Sequence, residues 1–210
     1  MTLTFSETAL VSGNAKPQPG KTRELTQITH AMRERQEIEQ YFFDTATLDH
    51  LARFAARFPN PCCLCTPSLG AELEARGVKA VTLDIDERFA HLRGFRRYDV
   101  LEPRALEERF GIIVCDPPFL SITMPQLCEV MRLLSHGDYR QPILINYWVS
   151  KSREITTAFA PFGLQSTGYR PTYATIQNTG RNAMQLYGNL GPEHGLKPPV
   201  TVIRETGNVM

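Results

Sequence analysis

Residues 116–119 read Asp-Pro-Pro-Phe and follow directly on the run Ile112-Ile113-Val114-Cys115. A strand that reads as fully buried therefore ends in a rigid, charged, aromatic corner. Each proline fixes its own φ and removes an N–H. Pro118 also pushes Pro117 toward an extended conformation. The Pro117 carbonyl then points in a fixed direction beside the Asp116 carboxylate. Two acceptors with no nearby donor make a socket for an NH₂ group. Phe119 adds a flat face on which a planar group can stack, worth about 1–3 kcal/mol for a base.

An exocyclic amine on adenine is a poor nucleophile because its lone pair is delocalised into the ring. Two acceptors that bond both of its hydrogens favour a pyramidal nitrogen, with the lone pair out of plane. An electrophile in line can then take that pair. The stabilisation grows as the nitrogen becomes positive, which is what lowers a barrier. If the amine is a lysine, the socket binds its ammonium, and one proton must leave before attack. Residues 116–119 suit either amine.

Other strand ends carry groups for an electrophile. Asp86, at the end of KAVTLDID, is placed to hold a ribose diol, as an acid does in dinucleotide folds. Asp99, one strand later, is placed to receive an adenine amino group. The turn Thr66-Pro67-Ser68-Leu69-Gly70 has a single glycine and no G-x-G-x-x-G. A pyrophosphate cradle, and with it NAD, is poorly supported. An adenosine-containing cofactor without pyrophosphate fits better.

The elements that must position these groups alternate along the chain. Residues 1–20 read as a flexible arm and 22–41 as a helix with charges around most of its surface. Asp44 or Thr45 caps a second helix, with Leu48, Leu51, Phe54, Ala55 and Phe58 on one face. Then follow strand CCLCT, helix SLGAELEARG stopped at Gly77, strand KAVTLDID, the helical turn ERFAHLRG, strand edge FRRYDV and helix PRALEERF opened by Pro103. Strand GIIVC, a helix opened by Pro125, strand PILINYWV and helix SREITTAFAPF come next. STGYRPTYATI and AMQLYGN close the series as an antiparallel-looking pair, and the last 20 residues read as a tail. This order is α/β, with a mostly parallel sheet covered on both faces. Ligands in such sheets sit beyond the carboxyl ends of the strands.

Bulk properties exclude several classes. The 210 residues, 42% hydrophobic, allow one full-sized core. The net charge of +1 gives no overall pull toward nucleic acid or anionic membrane. Arg93, Arg96 and Arg97 read as a solvated face. No stretch is apolar enough to span a bilayer and no secretion signal is visible, so a cytoplasmic location is expected. The cysteines number five, an odd count that fits free thiols in a reducing compartment. Cys62 and Cys65 form a C-x-x-C, but alternation along a strand points them to opposite faces, and no metal site is expected.

The stretches QYFFDTATLDHLA (40–52), CLCTPSLGAEL (63–73), LDIDERF (83–89), YDVLEP (98–103) and CDPPFLS (115–121), in that order and spacing, resemble the family of probable N6-adenine methyltransferases. That family carries the [D/N]-P-P-[F/Y/W] motif of S-adenosylmethionine-dependent amino-methyltransferases. It includes a lysine methyltransferase acting on translation elongation factor 1A. The resemblance implies a seven-stranded, Rossmann-like class I methyltransferase fold over 39–190, after an arm and helix at 1–38 and before a tail at 191–210. It implies S-adenosylmethionine as cofactor, enclosed by Gln40, Tyr41 and Phe42. Thr66, Pro67 and Ser68 would line its methionine side, with Asp86 on the ribose, Asp99 on the adenine and Cys115 alongside. Asp116, Pro117, Pro118 and Phe119 would carry the chemistry, and Phe119, Tyr147 and Arg170 would meet the substrate. The lysine enzyme has Tyr where this chain has Phe119. No zinc module and no inserted target-recognition domain is present in the sequence. Three readings follow: an adenine N6 methyltransferase acting on RNA or DNA, a protein-lysine methyltransferase acting on a translation factor, and a non-catalytic cofactor-binding partner.

Overall fold

The computed structural model describes residues 33–191 and 195–196. The arm expected at 1–20, residues 22–32 of the expected first helix, and nearly all of the tail expected at 191–210 lie outside them.

Seven strands form one sheet: β1 (Cys62–Leu64), β2 (Val81–Asp84), β3 (Phe95–Arg97), β4 (Ile113–Cys115), β5 (Ile143–Trp148), β6 (Gln165–Ser166) and β7 (Met184–Gly188). Their order is β3-β2-β1-β4-β5-β7-β6. Neighbours from β3 through β5 run parallel, and β7 is antiparallel to both β5 and β6. Short apolar strands of this kind need cover on both faces. Helices α1 (Thr45–Ala55) and α2 (Pro67–Ala75) supply one layer, α3 (Met124–Leu134) and α4 (Ser152–Ala158) the other.

The period-2 alternation of the strands divides the core. Cys62, Leu64, Ile113, Cys115, Ile143 and Ile145 pack with Leu127, Val130, Met131 and Ile155. Cys63, Val114 and Leu144 pack with Leu48, Leu51, Phe54, Leu69 and Leu73. Capping matches the expected starts. The Asp44 carboxylate accepts from Thr47 N at 2.8 Å, and Thr123 with Gln126 forms a capping box ahead of Pro125. Gly77, at φ 75°, follows α2 in the left-handed conformation that glycine tolerates.

Three local expectations are corrected. The described part of the first helix, 33–41, is not α-helical. It holds a 3₁₀ turn at Gln36–Ile38, and Arg35 pairs across it with Gln40. No helix forms at 103–110 either. Only Leu106 and Phe110 turn inward there, too few for an apolar stripe. Instead the Tyr98 hydroxyl donates to Arg104 O and accepts from Arg104 N, fixing an irregular path. The penultimate strand is two residues long, so Arg170 and Tyr173 lie beyond it in irregular chain that turns at Gly168, φ 73°.

Gly94 marks where β3 must approach β2 closely, because a Cβ there would lie 1.9 Å from the Ala80 carbonyl oxygen. Gly94→Ala is expected to lower stability by about 1–3 kcal/mol. The readout is a lower urea midpoint with an unchanged denaturant slope.

Candidate active site

A cleft of about 750 Å³, open solvent included, lies at the carboxyl ends of the first four strands. Cys65 follows β1, Asp84 ends β2, Asp99 follows β3 and Asp116 follows β4, and all four line it. The sheet order reverses between β1 and β4. That is the place where ligands bind in open α/β sheets.

Residues 37–41 close the other side as a strap. Glu39, at φ 53°, turns its carboxylate across the cleft. It accepts from Leu120 N at 2.6 Å and from the Ser121 hydroxyl, just beyond the Asp-Pro-Pro-Phe corner. Arg88 pins the strap from below, donating to Gln40 Oε1 and Arg33 O at 2.9 Å each. Glu34 accepts from Phe42 N at 2.9 Å and from the Thr175 hydroxyl.

Several expected site residues converge on the cleft: Gln40, Tyr41, Asp99, Asp116 and Pro118 line it. Others sit just behind it. Pro117 is buried, and Phe119 is half-buried against Trp148 and Tyr147, with ring centroids 5.3 and 5.9 Å away. Tyr147 is a buried backing for Phe119 rather than part of the lining. Thr66, Pro67 and Ser68 are buried in the first turn of α2, and only Cys65 reaches the cleft from that turn. Phe42 packs edge-on against Phe89 at 6.0 Å, also behind the lining. Arg170 is exposed and outside it.

Two placements correct the sequence reading. Asp86 turns inward, and its carboxylate is taken up by the Arg88 guanidinium, with contacts of 2.6–3.0 Å, and by Arg88 N at 3.1 Å. Asp84, two residues earlier, ends β2 and faces the cleft. Its Oδ1 accepts from Asp86 N at 2.8 Å. Cys115 is buried in the core, and Cys65 lines the cleft in its place. Cys65 leaves the strand at φ 53°, so alternation fails there, and Cys62 and Cys65 touch the same core layer. Among the described residues, no group of three or more His, Cys, Asp or Glu is arranged to hold a metal.

Asp116 is held by two residues to which the sequence assigned no role. Asn146, fully buried in β5, donates from Nδ2 to Asp116 Oδ1 at 2.9 Å. The Tyr173 hydroxyl donates to Oδ1 and Oδ2 at 3.3 and 3.4 Å. An amide inside the apolar run ILINYW was the one available signal for Asn146. Nothing local marks Tyr173. Burial pushes the Asp116 carboxyl up to about 7, against the hydrogen bonds from Asn146 and Tyr173 that pull it down. Burial likewise pushes Asp84 up to about 6, with the Asp86 charge adding to it.

The cleft fits S-adenosylmethionine. Among the described residues, five carboxylates line it, from Glu37, Glu39, Asp84, Asp99 and Asp116, and no Lys or Arg does. Such a lining favours a sulfonium and an ammonium and disfavours phosphates. Ile85 and Leu101 are apolar yet 37% and 45% exposed within it, a surface suited to a planar heterocycle. Gln40 Nε2 is buried with no hydrogen-bond partner among the described residues, a donor free for a ligand oxygen.

The raised carboxyls set a pH dependence. A folded-state value above the unfolded value of about 3.9 means that the native state binds more protons between roughly pH 4 and 7. Stability from Asp84 and Asp116 therefore falls as pH rises through that window. Asp116→Asn is expected to raise the urea midpoint above wild type at pH 8, with the gap closing toward pH 4. A constant gap across that range would contradict it.

Comparison with known sequences and structures agrees with this chemistry. The sequence profile described as Probable N6-adenine methyltransferase matches residues 34–191. No curated protein matches. A Pyrococcus horikoshii protein put forward as an RNA methyltransferase shares the fold at 14% identity and a TM-score of 0.55, over 80% of this chain and 97% of that one. A branched-chain polyamine synthase variant from Thermus thermophilus does so at 13% identity and 0.52, over 80% of this chain and 61% of the other. The profile match runs from the strap through every strand to the residues after β7. The chain therefore belongs to the probable N6-adenine methyltransferase family and is an S-adenosylmethionine-dependent methyltransferase.

Proposed function

We propose that the enzyme methylates the exocyclic N6 amine of adenine in nucleic acid, using residues 39–190 as its catalytic unit. The observation that carries this is the Asp116 carboxylate at the β4 end. The Asp116 carboxylate faces the cleft on a backbone stiffened by Pro117 and Pro118, beside the half-exposed edge of Phe119. The cofactor supplies an electrophilic methyl group on a sulfonium. Asp84, rather than Asp86, holds the ribose diol, because Asp86 is engaged by Arg88. Asp99 accepts from the adenine amino group, and Gln40 and Tyr41 close over the ligand.

Asp116 and the Pro117 carbonyl hold the two amine hydrogens and aim the lone pair. Phe119, backed by Tyr147 and Trp148, supports the base. A base within a duplex must be turned out of the stack to reach this corner. Once methylated, the nitrogen is positive and must lose a proton. Asp116, poised near neutrality by burial, is an acceptor matched to that step.

One observation favours a protein lysine as the second reading. The Lys151 ammonium of this chain rests 5.3 Å from the Trp148 ring centroid, next to Phe119. That aromatic surface can receive a cation.

Asp116→Ala is expected to reduce methyl transfer at least about a hundredfold while calorimetry still detects cofactor binding. Asp84→Asn is expected to weaken cofactor binding about tenfold or more, with Asp86→Asn acting mainly on stability. Tritiated cofactor incubated with cell lysate separates the targets. Label lost to nuclease supports adenine; label lost only to protease supports lysine.

A further inference from the structure

Tyr173 lies 57 residues from Asp116 in sequence, yet its hydroxyl meets both carboxylate oxygens. The side chain is buried and does not line the cleft. Its place is fixed from two sides. The ring packs on Phe43 with centroids 5.1 Å apart, and Tyr173 pairs with Phe43 as an antiparallel bridge. Asp44 N donates to Thr172 O, and Ala174 N to Phe42 O, each at 2.9 Å. On the other side Met184 Sδ lies 3.4 Å from the hydroxyl, and Asn178 ties residue 171 to residue 184 through backbone contacts. Asn146 Nδ2 also donates to the Tyr173 hydroxyl, so amide, phenol and carboxylate form a closed triangle.

A hydroxyl in this arrangement can do one thing for a reaction. Accepting from Asn146 commits its own hydrogen to Asp116. The carboxylate is then fixed in orientation, with its remaining lone pairs left for a donor in the cleft. We propose that Tyr173 is a positioning residue for methyl transfer, holding the Asp116 carboxylate as an acceptor for the target amine through its hydroxyl and the Asn146 amide. The inference rests on the amine-socket reading of Asp116.

The charged and titratable groups around Asp116 leave Tyr173 as its donor among the ionisable side chains. Cys115 precedes it on β4 and Cys65 approaches from the β1 turn, and burial pushes both thiols well up and keeps them neutral. Asp84, Asp99, Glu37 and Glu39 share the cleft and only oppose its charge. Loss of the phenol hydrogen bond therefore moves Asp116 toward protonation.

Tyr173→Phe keeps the ring and its packing on Phe43 and removes only the hydroxyl. Two readouts test it. The first is the ¹³C carboxyl titration of Asp116 in the free enzyme, assigned by its absence in Asp116→Asn. The expected midpoint is about 7 in wild type and about half to one pH unit higher in Tyr173→Phe. The second is the rate of methyl transfer to the substrate class identified by labelling. The expected result is a maximal rate about tenfold lower near pH 7, recovering in part at higher pH, with the cofactor dissociation constant within twofold of wild type. An unshifted Asp116 midpoint overturns the proposal, and so does a rate loss matched by an equal loss of cofactor affinity. Asp116→Ala distinguishes the two layers. If that variant transfers methyl groups normally, the socket reading fails and takes this inference with it. If it is inactive while Tyr173→Phe titrates and turns over as wild type, only the role of Tyr173 fails.

Discussion

Burying a carboxylate is unfavourable unless its oxygens are satisfied, and the architecture of this enzyme is organised around one such group. Asp116 sits at the end of a central strand, where the sheet order reverses. Its partners come from the neighbouring strand and from irregular chain near the carboxyl end of the domain. Two donors are enough to hold it, but not enough to return it to an ordinary acidity. The result is a carboxyl held in one orientation and raised to about 7, the two properties on which the proposed role rests. The same burial withholds stability from the free enzyme, a common consequence of building a reactive site.

The strap shows how a second region is drawn into the same geometry. Residues 33–44 pass from the Arg88–Asp86 pair, over the cofactor side of the cleft, to the bridge with Tyr173. On the way Glu39 fastens the loop that follows the Asp-Pro-Pro-Phe corner. One short segment thus touches Arg88 beside the β2 end, the loop after the Asp-Pro-Pro-Phe corner and the tyrosine that donates to Asp116. The burial of Asp86 follows from this role. Its charge is spent on Arg88, and Arg88 in turn anchors the strap.

Local chemistry announced much of this fold and part of the site. The apolar runs ending in Asp84 and Cys115 read as strands because nothing else buries so many consecutive apolar and β-branched residues. The corner at 116–119 was legible because two prolines leave the chain few choices. Failures arose where tertiary contact overrode local preference. Residues 103–110 contain good helix formers but no apolar stripe, so nothing packs a helix there. Residues 33–41 are drawn out by contacts to Arg88, Leu120 and Thr175, none of them near in sequence. Strand alternation puts Asp84 and Asp86 on one face, so the choice between them depended on where the strand ended: β2 stops at Asp84, and Asp86, already in the following turn, is taken by the arginine two residues on. Asn146 and Tyr173 gained no role from sequence because that role lies in a partner 30 or 57 residues away.

The insertion of β7 between β5 and β6 has a bearing on how the chain is made. Emerging from the ribosome amino end first, β1 to β5 can assemble their parallel contacts while the outer edge of β5 still lacks its neighbour. That edge holds Asn146 and the apolar residues beside it, open to unwanted pairing with another nascent chain. The last of the described strands closes the edge, and the segment just before it brings in the phenol of Tyr173. The edge of β5 is therefore sealed at nearly the same moment as Asp116 gains its contact with Tyr173.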